Sequence, residues 1–220
     1  VTRLLAQKLE EEGSGFSSKS YELERDVRAI IDKQEKNGFA FNLKDGTILL
    51  AQLQDELSEL QRKAEEEFEP TIVELKTKTK KIPFNIGSRQ QIADRLQKRG
   101  WKPKQFTDKG NVIINEAVLS KIKMPEAEMF NRYFLLQKRT GLLKSWISEC
   151  QEDNRVRGKV MTLRTITGRM AHAVPNMAQV PSISSSYGRE SRGLWGVDDT
   201  TKYRLVGVDA SGLELRCLAH

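Results

Sequence analysis

Three kinds of organising feature are excluded by what this 220-residue sequence has little of. Cysteine occurs twice, at Cys150 and Cys217, so no disulfide framework is implied and a reducing compartment, the cytoplasm, fits. The two histidines, His172 and His220, have no Cys or His at ligand spacing, which argues against zinc. His172 reads as a loop residue and His220 as an ordinary helix residue. No apolar run reaches about 18 residues and no signal peptide is visible, so no membrane partner is expected.

Charge is what the chain does have. Lys and Arg total 37 against 30 Asp and Glu, a formal net charge of +7. Such a surplus favours an anionic partner such as nucleic acid, although a modest excess also describes a plain solvated surface. The chain begins with Val1 rather than Met, and its last residues fall inside a helical pattern with no stop signal, which suggests an internal piece of a longer protein.

Helical periodicity dominates the first two thirds. Leu4, Leu5 and Leu9 share a face in Val1 to Glu12, and Gly13 to Ser18 reads as a flexible linker by composition. Leu23, Val27, Ile30 and Ile31 form an amphipathic stripe ended by Asn37-Gly38. From Lys44 to Phe68, Leu49, Leu53, Leu57, Leu60 and Ala64 line one side of a long helix, about 35 Å at 1.5 Å per residue. Four lysines, Lys76, Lys78, Lys80 and Lys81, then crowd six residues with no acidic partner, and read either as a solvated tip or as phosphate contacts that release counterions. Ser88 is a sensible N-cap for a helix through Ile92 and Leu96 to Gly100, and such an N-terminus also suits a phosphate oxygen. Thr107 to Asn111 reads as a turn, Glu116 to Ile122 as a short helix, and Glu126 to Cys150 as another long one. Val156 to Thr162 alternates apolar and polar as a half-buried strand does.

Chemistry concentrates in the last eighteen residues, YRLVGVDASGLELRCLAH. Leu205 to Val208 is a short apolar run of the kind a buried strand uses, and Leu213, Leu215, Leu218 and Ala219 recur at helical spacing. A carboxylate at the mouth of that strand, Asp209, followed by a small Ala-Ser-Gly turn, suits an oxygen-loving divalent cation. Asp209 or Ser211 merely capping the next helix is an equal reading from these residues alone.

Two blocks together carry a resemblance. Asp209-Ala210-Ser211-Gly212-Leu213-Glu214-Leu215-Arg216 looks like motif A of family A DNA polymerases. Thr167-Gly168-Arg169, followed by Pro175 to Pro181 (PNMAQVP), resembles that family's TGR…PNLQNIP segment in the same order. Tyr133 to Arg139 matches the wording of the replicative polymerases of small tailed phages, and Phe84 to Ile92 resembles the family's thumb segment. Val174 and Ala178 depart from the pattern.

The resemblance implies an α+β fold, an incomplete right-hand architecture in which a mostly helical thumb precedes the start of a palm with antiparallel sheet. Residues 1–18 would be the end of an exonuclease-domain helix and a linker, 19–154 the thumb region, and 155–220 the N-terminal part of the palm. The implied activity is template-directed DNA synthesis, with primer-template DNA and deoxynucleoside triphosphates as partners and two Mg²⁺ ions as cofactors. Asp209 and the Ala210 carbonyl would serve metal. Ser211, Gly212, Leu213 and Glu214 would serve the nucleotide, with Glu214 facing inward beneath the sugar. Arg169, with Asn176 and Gln179, would contact the minor groove, a structural salt bridge being the alternative for Arg169. Asn85, Ser88, Lys76, Lys78, Lys80, Lys81, Lys138 and Arg139 would contact the DNA backbone. The family's second metal aspartate and its fingers helix have no counterpart in these residues, so this chain alone is expected to be inactive. Phage relatives that recruit thioredoxin carry a long insertion where this chain has about sixteen residues, so that partner is not expected. A non-catalytic nucleic-acid-binding protein and a coiled-coil interaction protein are the other readings, and the Asp209 and Glu214 pair distinguishes polymerase from both.

Overall fold

A computed structural model describes residues 2–13, 15, 17–75 and 78–219, with the backbone alone at 2, 71, 73–75 and 78–80. Helices and short antiparallel strands make an α+β fold, divided into two compact units, 44–148 and the pairing of 1–43 with 149–220. Among the described residues no helix is long and apolar enough to cross a membrane.

The first unit in chain order opens with α1 (Thr2–Gly13) and α2 (Ser18–Asn37). The sequence treats Gly13 to Ser18 as linker, yet the break is shorter. Gly13 still belongs to α1, the Ser17 side chain caps α2 by accepting from the Ser20 N–H, and Tyr21 Oη donates to the Gly13 carbonyl at 2.9 Å. Helix α2 ends as Asn37-Gly38 predicts, with Gly38 at φ 64°. A Cβ there would also stand 2.8 Å from the Val156 carbonyl, so glycine answers two constraints, a left-handed backbone and a close strand.

Strand β1 (Phe39–Phe41) follows, and α3 (Leu43–Glu67) carries the chain into the 44–148 unit. There the predicted leucine stripe buries Leu49, Leu53 and Ala64. Strands β2 (Thr71–Leu75) and β3 (Lys78–Ile82) form an antiparallel hairpin where the sequence reading places no strand. Thr71-Ile72-Val73 and Ile82 have strand propensity, and no Gly or Asn between them announces the turn. Then come α4 (Arg89–Lys98), α5 (Glu116–Leu119) and α6 (Pro125–Ser148). Phe68, Phe84 and Phe130 meet at the centre, with ring centroids 4.6 to 6.0 Å apart, surrounded by Ile86, Ile92, Leu96, Ile114 and Leu119. Gln61 ties the α3 side to the entry of α4, its Nε2 donating to the Phe84 carbonyl at 2.8 Å and its Oε1 accepting from Ile86 N–H at 3.2 Å. Arg99 lies over the Phe68 ring, 4.9 Å from its centroid, and pairs with Glu67 and Glu126.

Beyond residue 148 the chain rejoins the first unit. The single strand expected from Val156 to Thr162 is instead two, β4 (Arg155–Val156) and β5 (Lys159–Met161), in different sheets. The break falls at Arg157 and Gly158. Arg157 is drawn to the Lys36 carbonyl (3.0 Å) and to Asp153 (2.5 Å), while the Gly158 N–H donates to Met177 Sδ rather than to a neighbouring strand. Strand β6 (Ala171–Ala173) pairs with β5, which puts His172 opposite Val160 and not in a loop. Helix α7 (Gly188–Gly193) and strand β7 (Trp195–Gly196) complete the sheet β4-β1-β7, in which Phe41 and Trp195 pack with centroids 5.0 Å apart.

Strand structure was expected for Leu205 to Val208 and does not form. Residues 203–210 pair with no described strand and are exposed, Val206 by 85% and Val208 by 94%. Four apolar residues hold a strand only when neighbouring strands take up their N–H and C=O groups, and no described residue does so here. Helix α8 (Leu213–Ala219) follows as predicted, with all its residues exposed.

Candidate nucleic-acid interface

On the 44–148 unit, the start of α4 is built from short side chains that satisfy its own backbone. Ser88 Oγ accepts from the Gln91 N–H at 3.4 Å, and Gln91 Oε1 accepts from the Asn85 N–H at 2.8 Å. Asn85 Oδ1 accepts from the Gly87 N–H at 2.8 Å, which leaves the exposed Asn85 Nδ2 without a partner among the described residues. Ser88 is therefore a helix cap, and Asn85 keeps a donor for a ligand.

Helix α6 presents its basic residues beside this corner. Arg89 lies over the Phe134 ring, 5.7 Å from its centroid, and Arg89, Asn115, Glu116, Phe134, Gln137 and Lys138 line one depression. Lys138 is exposed, as a phosphate contact must be, but Arg139 is half-buried. Burial pushes the Arg139 guanidinium below its ordinary value, opposed by the nearby Glu116 charge. Lys138 thus shares its depression with Arg89 rather than with Arg139, because consecutive helix residues point about 100° apart. In the hairpin, Lys81 is exposed opposite Ile72, and Lys78 and Lys80 stand at backbone positions opposite Leu75 and Val73. Lys76 lies outside the described residues, as does His220.

In the other unit, β5 and β6 carry the Thr167-Gly168-Arg169 block between them. Thr165 closes that turn, its Oγ1 accepting from the Arg169 N–H at 2.8 Å and its N–H donating to the Arg169 carbonyl at 3.2 Å, with Gly168 at φ 74°. The Arg169 side chain is exposed and makes no hydrogen bond or ion pair with a described residue, so the structural salt bridge does not form there. Asn176 Oδ1 caps a single 3₁₀ turn, Met177–Gln179, by accepting from the Ala178 N–H at 3.1 Å, and Gln179 is exposed.

The structure joins these two blocks at their base. Gly158 approaches the Pro175 carbonyl so closely that a Cβ would stand 2.7 Å from it. On the outer edge of β5, helix α2 acts in place of a strand. Arg28 Nη1 donates to the Val160 carbonyl at 2.8 Å, Glu35 Oε1 accepts from the Val160 N–H at 2.7 Å, and Arg28 and Glu35 pair at 2.9 Å. Sequence reasoning missed Arg28 and Glu35, whose only local signal is a charge spacing that Asp32 shares. A cavity of about 290 Å³ runs past Gly158, His172, Met177 and Trp195 to Leu205, where the chain leads out toward Asp209.

Asp209 and Ser211 are exposed, and neither side chain accepts a hydrogen bond from a described N–H, so the capping alternative is not realised. Gly212, at φ 62°, begins α8 by accepting from the Arg216 N–H. Glu214 sits in the first turn and is exposed, not inward-facing as expected, because no described element covers that helix. The Asp209 carboxylate and Ala210 carbonyl are oxygen donors of the kind Mg²⁺ prefers. They are too few to hold it, and no group of three or more His, Cys, Asp or Glu among the described residues could do so.

Comparison with known proteins supplies the family. The sequence profile described as "DNA polymerase family A" matches residues 52–220, and the chain belongs to that family. It is 38% identical over 160 residues to the "DNA-directed DNA polymerase" of Enterobacteria phage T3 and to that of Escherichia phage T7, covering 66% of this chain and 23% of each relative. DNA polymerase I of Rhizobium leguminosarum is 26% identical over 214 residues, covering 94% of this chain and 20% of the relative. The chain thus spans about a quarter of the length of the phage relatives. Among solved structures, the "POL domain of Pol1 from M. smegmatis complex with DNA primer-template and dNTP" shares the fold over 79% of this chain and 29% of that one, with TM-score 0.61 and 20% identity.

Proposed function

We propose that this chain is the thumb and the opening part of the palm of a template-directed DNA polymerase that extends a primer 3′-hydroxyl with deoxynucleoside triphosphates. The observation that carries the proposal is the unbroken family match over residues 52–220, which takes in the Thr167-Gly168-Arg169, Pro175 to Pro181 and Asp209 to Glu214 blocks. Asp209 and the Ala210 carbonyl would hold Mg²⁺ together with donors from outside this chain. When bound, two such ions supply charge stabilisation for the attacking and leaving oxygens. Arg169 offers a planar fork of donors to the purine N3 and pyrimidine O2 acceptors that every correct pair presents in the minor groove. That its side chain pairs with no described residue supports that role. The segment between α3 and α4 is a short hairpin, so the proposal includes no thioredoxin clamp.

The isolated chain tests the DNA-binding half of this reading. It should bind primer-template without sequence preference and without extending it, with a log–log salt slope of about 0.9 per phosphate neutralised. Replacing Lys76, Lys78, Lys80 and Lys81 with alanine should flatten that slope, and an unchanged slope would return the hairpin to a solvated tip. Magnesium-dependent extension by the isolated chain would overturn the assignment of the missing carboxylate and triphosphate contacts to other segments.

Glu214 carries the sugar selectivity in this reading. Its exposed position in the first turn of α8 leaves it to be covered by the rest of the polymerase, where it would fill the space of a 2′-hydroxyl. In the complete polymerase Glu214→Ala is expected to raise the ribo-to-deoxyribonucleotide ratio of kcat/KM by about ten- to a hundredfold, at ~1.4 kcal/mol per tenfold. A ratio that does not move reduces Glu214 to a solvated helix residue.

A further inference from the structure

A basic pocket outside both polymerase blocks opens on the 44–148 unit, between the turn that ends α4 and the segment that follows α5. Its volume is about 650 Å³. Lys102, Lys104, Lys121 and Lys123 stand around it, all four exposed and none ion-paired to a described residue. No acidic residue lines it. The walls between the lysines are apolar, made by Trp101, Ile113, Ile122 and Met124, and Trp101, Ile122 and Met124 pack their inner sides on the phenylalanine core.

Each half of this arrangement asks for a different property in one ligand. Four like charges around one opening raise the local positive potential and draw carboxylates or phosphates. Apolar side chains left facing water between them gain only from burying apolar surface, and the volume is that of a site for a ligand or a few side chains. The ligand is therefore amphipathic and anionic. The wall chemistry decides between a nucleic acid and a peptide. Single-stranded nucleic acid stacks its bases on open aromatic faces, whereas Trp101 is half-buried against the core and its neighbours are aliphatic. Aliphatic walls take aliphatic or phenyl side chains, and ammonium groups on flexible stems adapt to carboxylates spaced along an extended segment. The depression at Lys138 and this pocket share no lining residue.

We propose that this pocket docks an acidic peptide segment of a partner protein, with one or two apolar side chains seated between Trp101, Ile122 and Met124 and flanking Asp or Glu residues held by Lys102, Lys104, Lys121 and Lys123. The partner is recognised by charge pattern and one apolar anchor, a mode that favours rapid, salt-sensitive association.

The test uses the full 220-residue chain and a fluorescein-labelled peptide in which Asp and Glu flank a Phe-Leu pair, followed by anisotropy at low salt. Saturable binding is expected. The combined variant Lys102→Ser, Lys104→Ser, Lys121→Ser and Lys123→Ser should weaken it by at least about tenfold, as should replacing the Phe-Leu pair of the peptide by Ser-Ser. These lysines are exposed and unpaired, so the variant retains the fold. Equal affinity of the native chain and the lysine variant overturns the site. Equal affinity for the two peptides overturns the apolar anchor and leaves only diffuse charge. An oligothymidylate that displaces the peptide at a lower concentration than unlabelled peptide does makes the pocket a nucleic-acid site and overturns the peptide assignment.

Discussion

Asp209→Ala in the complete polymerase is expected to lower the rate of nucleotide incorporation by at least about a thousandfold, ~4 kcal/mol at 1.36 kcal/mol per tenfold, while primer-template affinity changes by less than about twofold. The carboxylate is exposed and has no hydrogen bond or ion pair with a described residue, so its removal leaves no donor stranded and no cavity behind. Stability therefore does not enter the result. What is lost is the charged member of the proposed metal-binding pair, since the Ala210 carbonyl is neutral and remains. Phosphoryl transfer draws most of its acceleration from positioned charge, which makes one carboxylate worth several kilocalories, whereas in the proposed reading duplex affinity would rest on lysines and arginines that the substitution does not touch. Single-turnover extension under saturating DNA, measured beside a binding isotherm on the same primer-template, separates the two. Incorporation within tenfold of the native rate would remove Asp209 from the chemistry, and a parallel loss of binding would make it a DNA contact.

The elements that were legible in the sequence are those whose cause is local. The leucine stripe of α3, the Asn37-Gly38 stop of α2 and the Ser88 cap of α4 each depend on residues within a few positions, and each formed as read. The family resemblance carried by Asp209 to Glu214 and Thr167 to Arg169 was legible for another reason, since a motif fixes residue types whatever the fold does around them, and the family match spans both blocks. Failures fall where partners are distant in sequence. Nothing near Val160 announces that Arg28 and Glu35 will take its carbonyl and N–H, because the link spans more than a hundred residues. The same distance hid the division of Val156 to Thr162, which follows from Met177 accepting the Gly158 N–H. Leu205 to Val208 was read as buried from composition alone, yet burial is a property of neighbours, and no described neighbour covers it. Lys102, Lys104, Lys121 and Lys123 form no run in the sequence, and α5 with its flanking turns is what brings them to one pocket.

Phe130→Ala is expected to destabilise the 44–148 unit by about 3–5 kcal/mol, the range for removing a buried phenyl group and leaving its space unfilled. Phe130 is 0% exposed and stands on α6 against Phe68 from the end of α3 and Phe84 from the approach to α4, at centroid distances of 5.6 and 6.0 Å. Neither neighbour is free to collapse into the gap. Phe68 is held by Arg99 over its ring, and the Phe84 carbonyl is held by Gln61, so relaxation recovers little of the lost contact. The same core joins α4, through Ile92, to α6, through Phe130, and these two helices carry the Arg89 and Lys138 that line one depression. Urea unfolding of the full chain followed by far-ultraviolet circular dichroism reads the effect. With a slope of about 1–3 kcal/mol per molar, the midpoint of the transition carrying α3, α4 and α6 should fall by more than about one molar. Phe106→Ala, a ring that is 53% exposed, serves as the contrast and should move the same midpoint by a small fraction of that. Primer-template binding by Phe130→Ala should persist at low urea and disappear along the shifted transition, because the substitution removes no charged group. Binding lost in the absence of urea, with the helical signal intact, would mean that the corner's geometry depends on this one ring more tightly than the stability of the unit does.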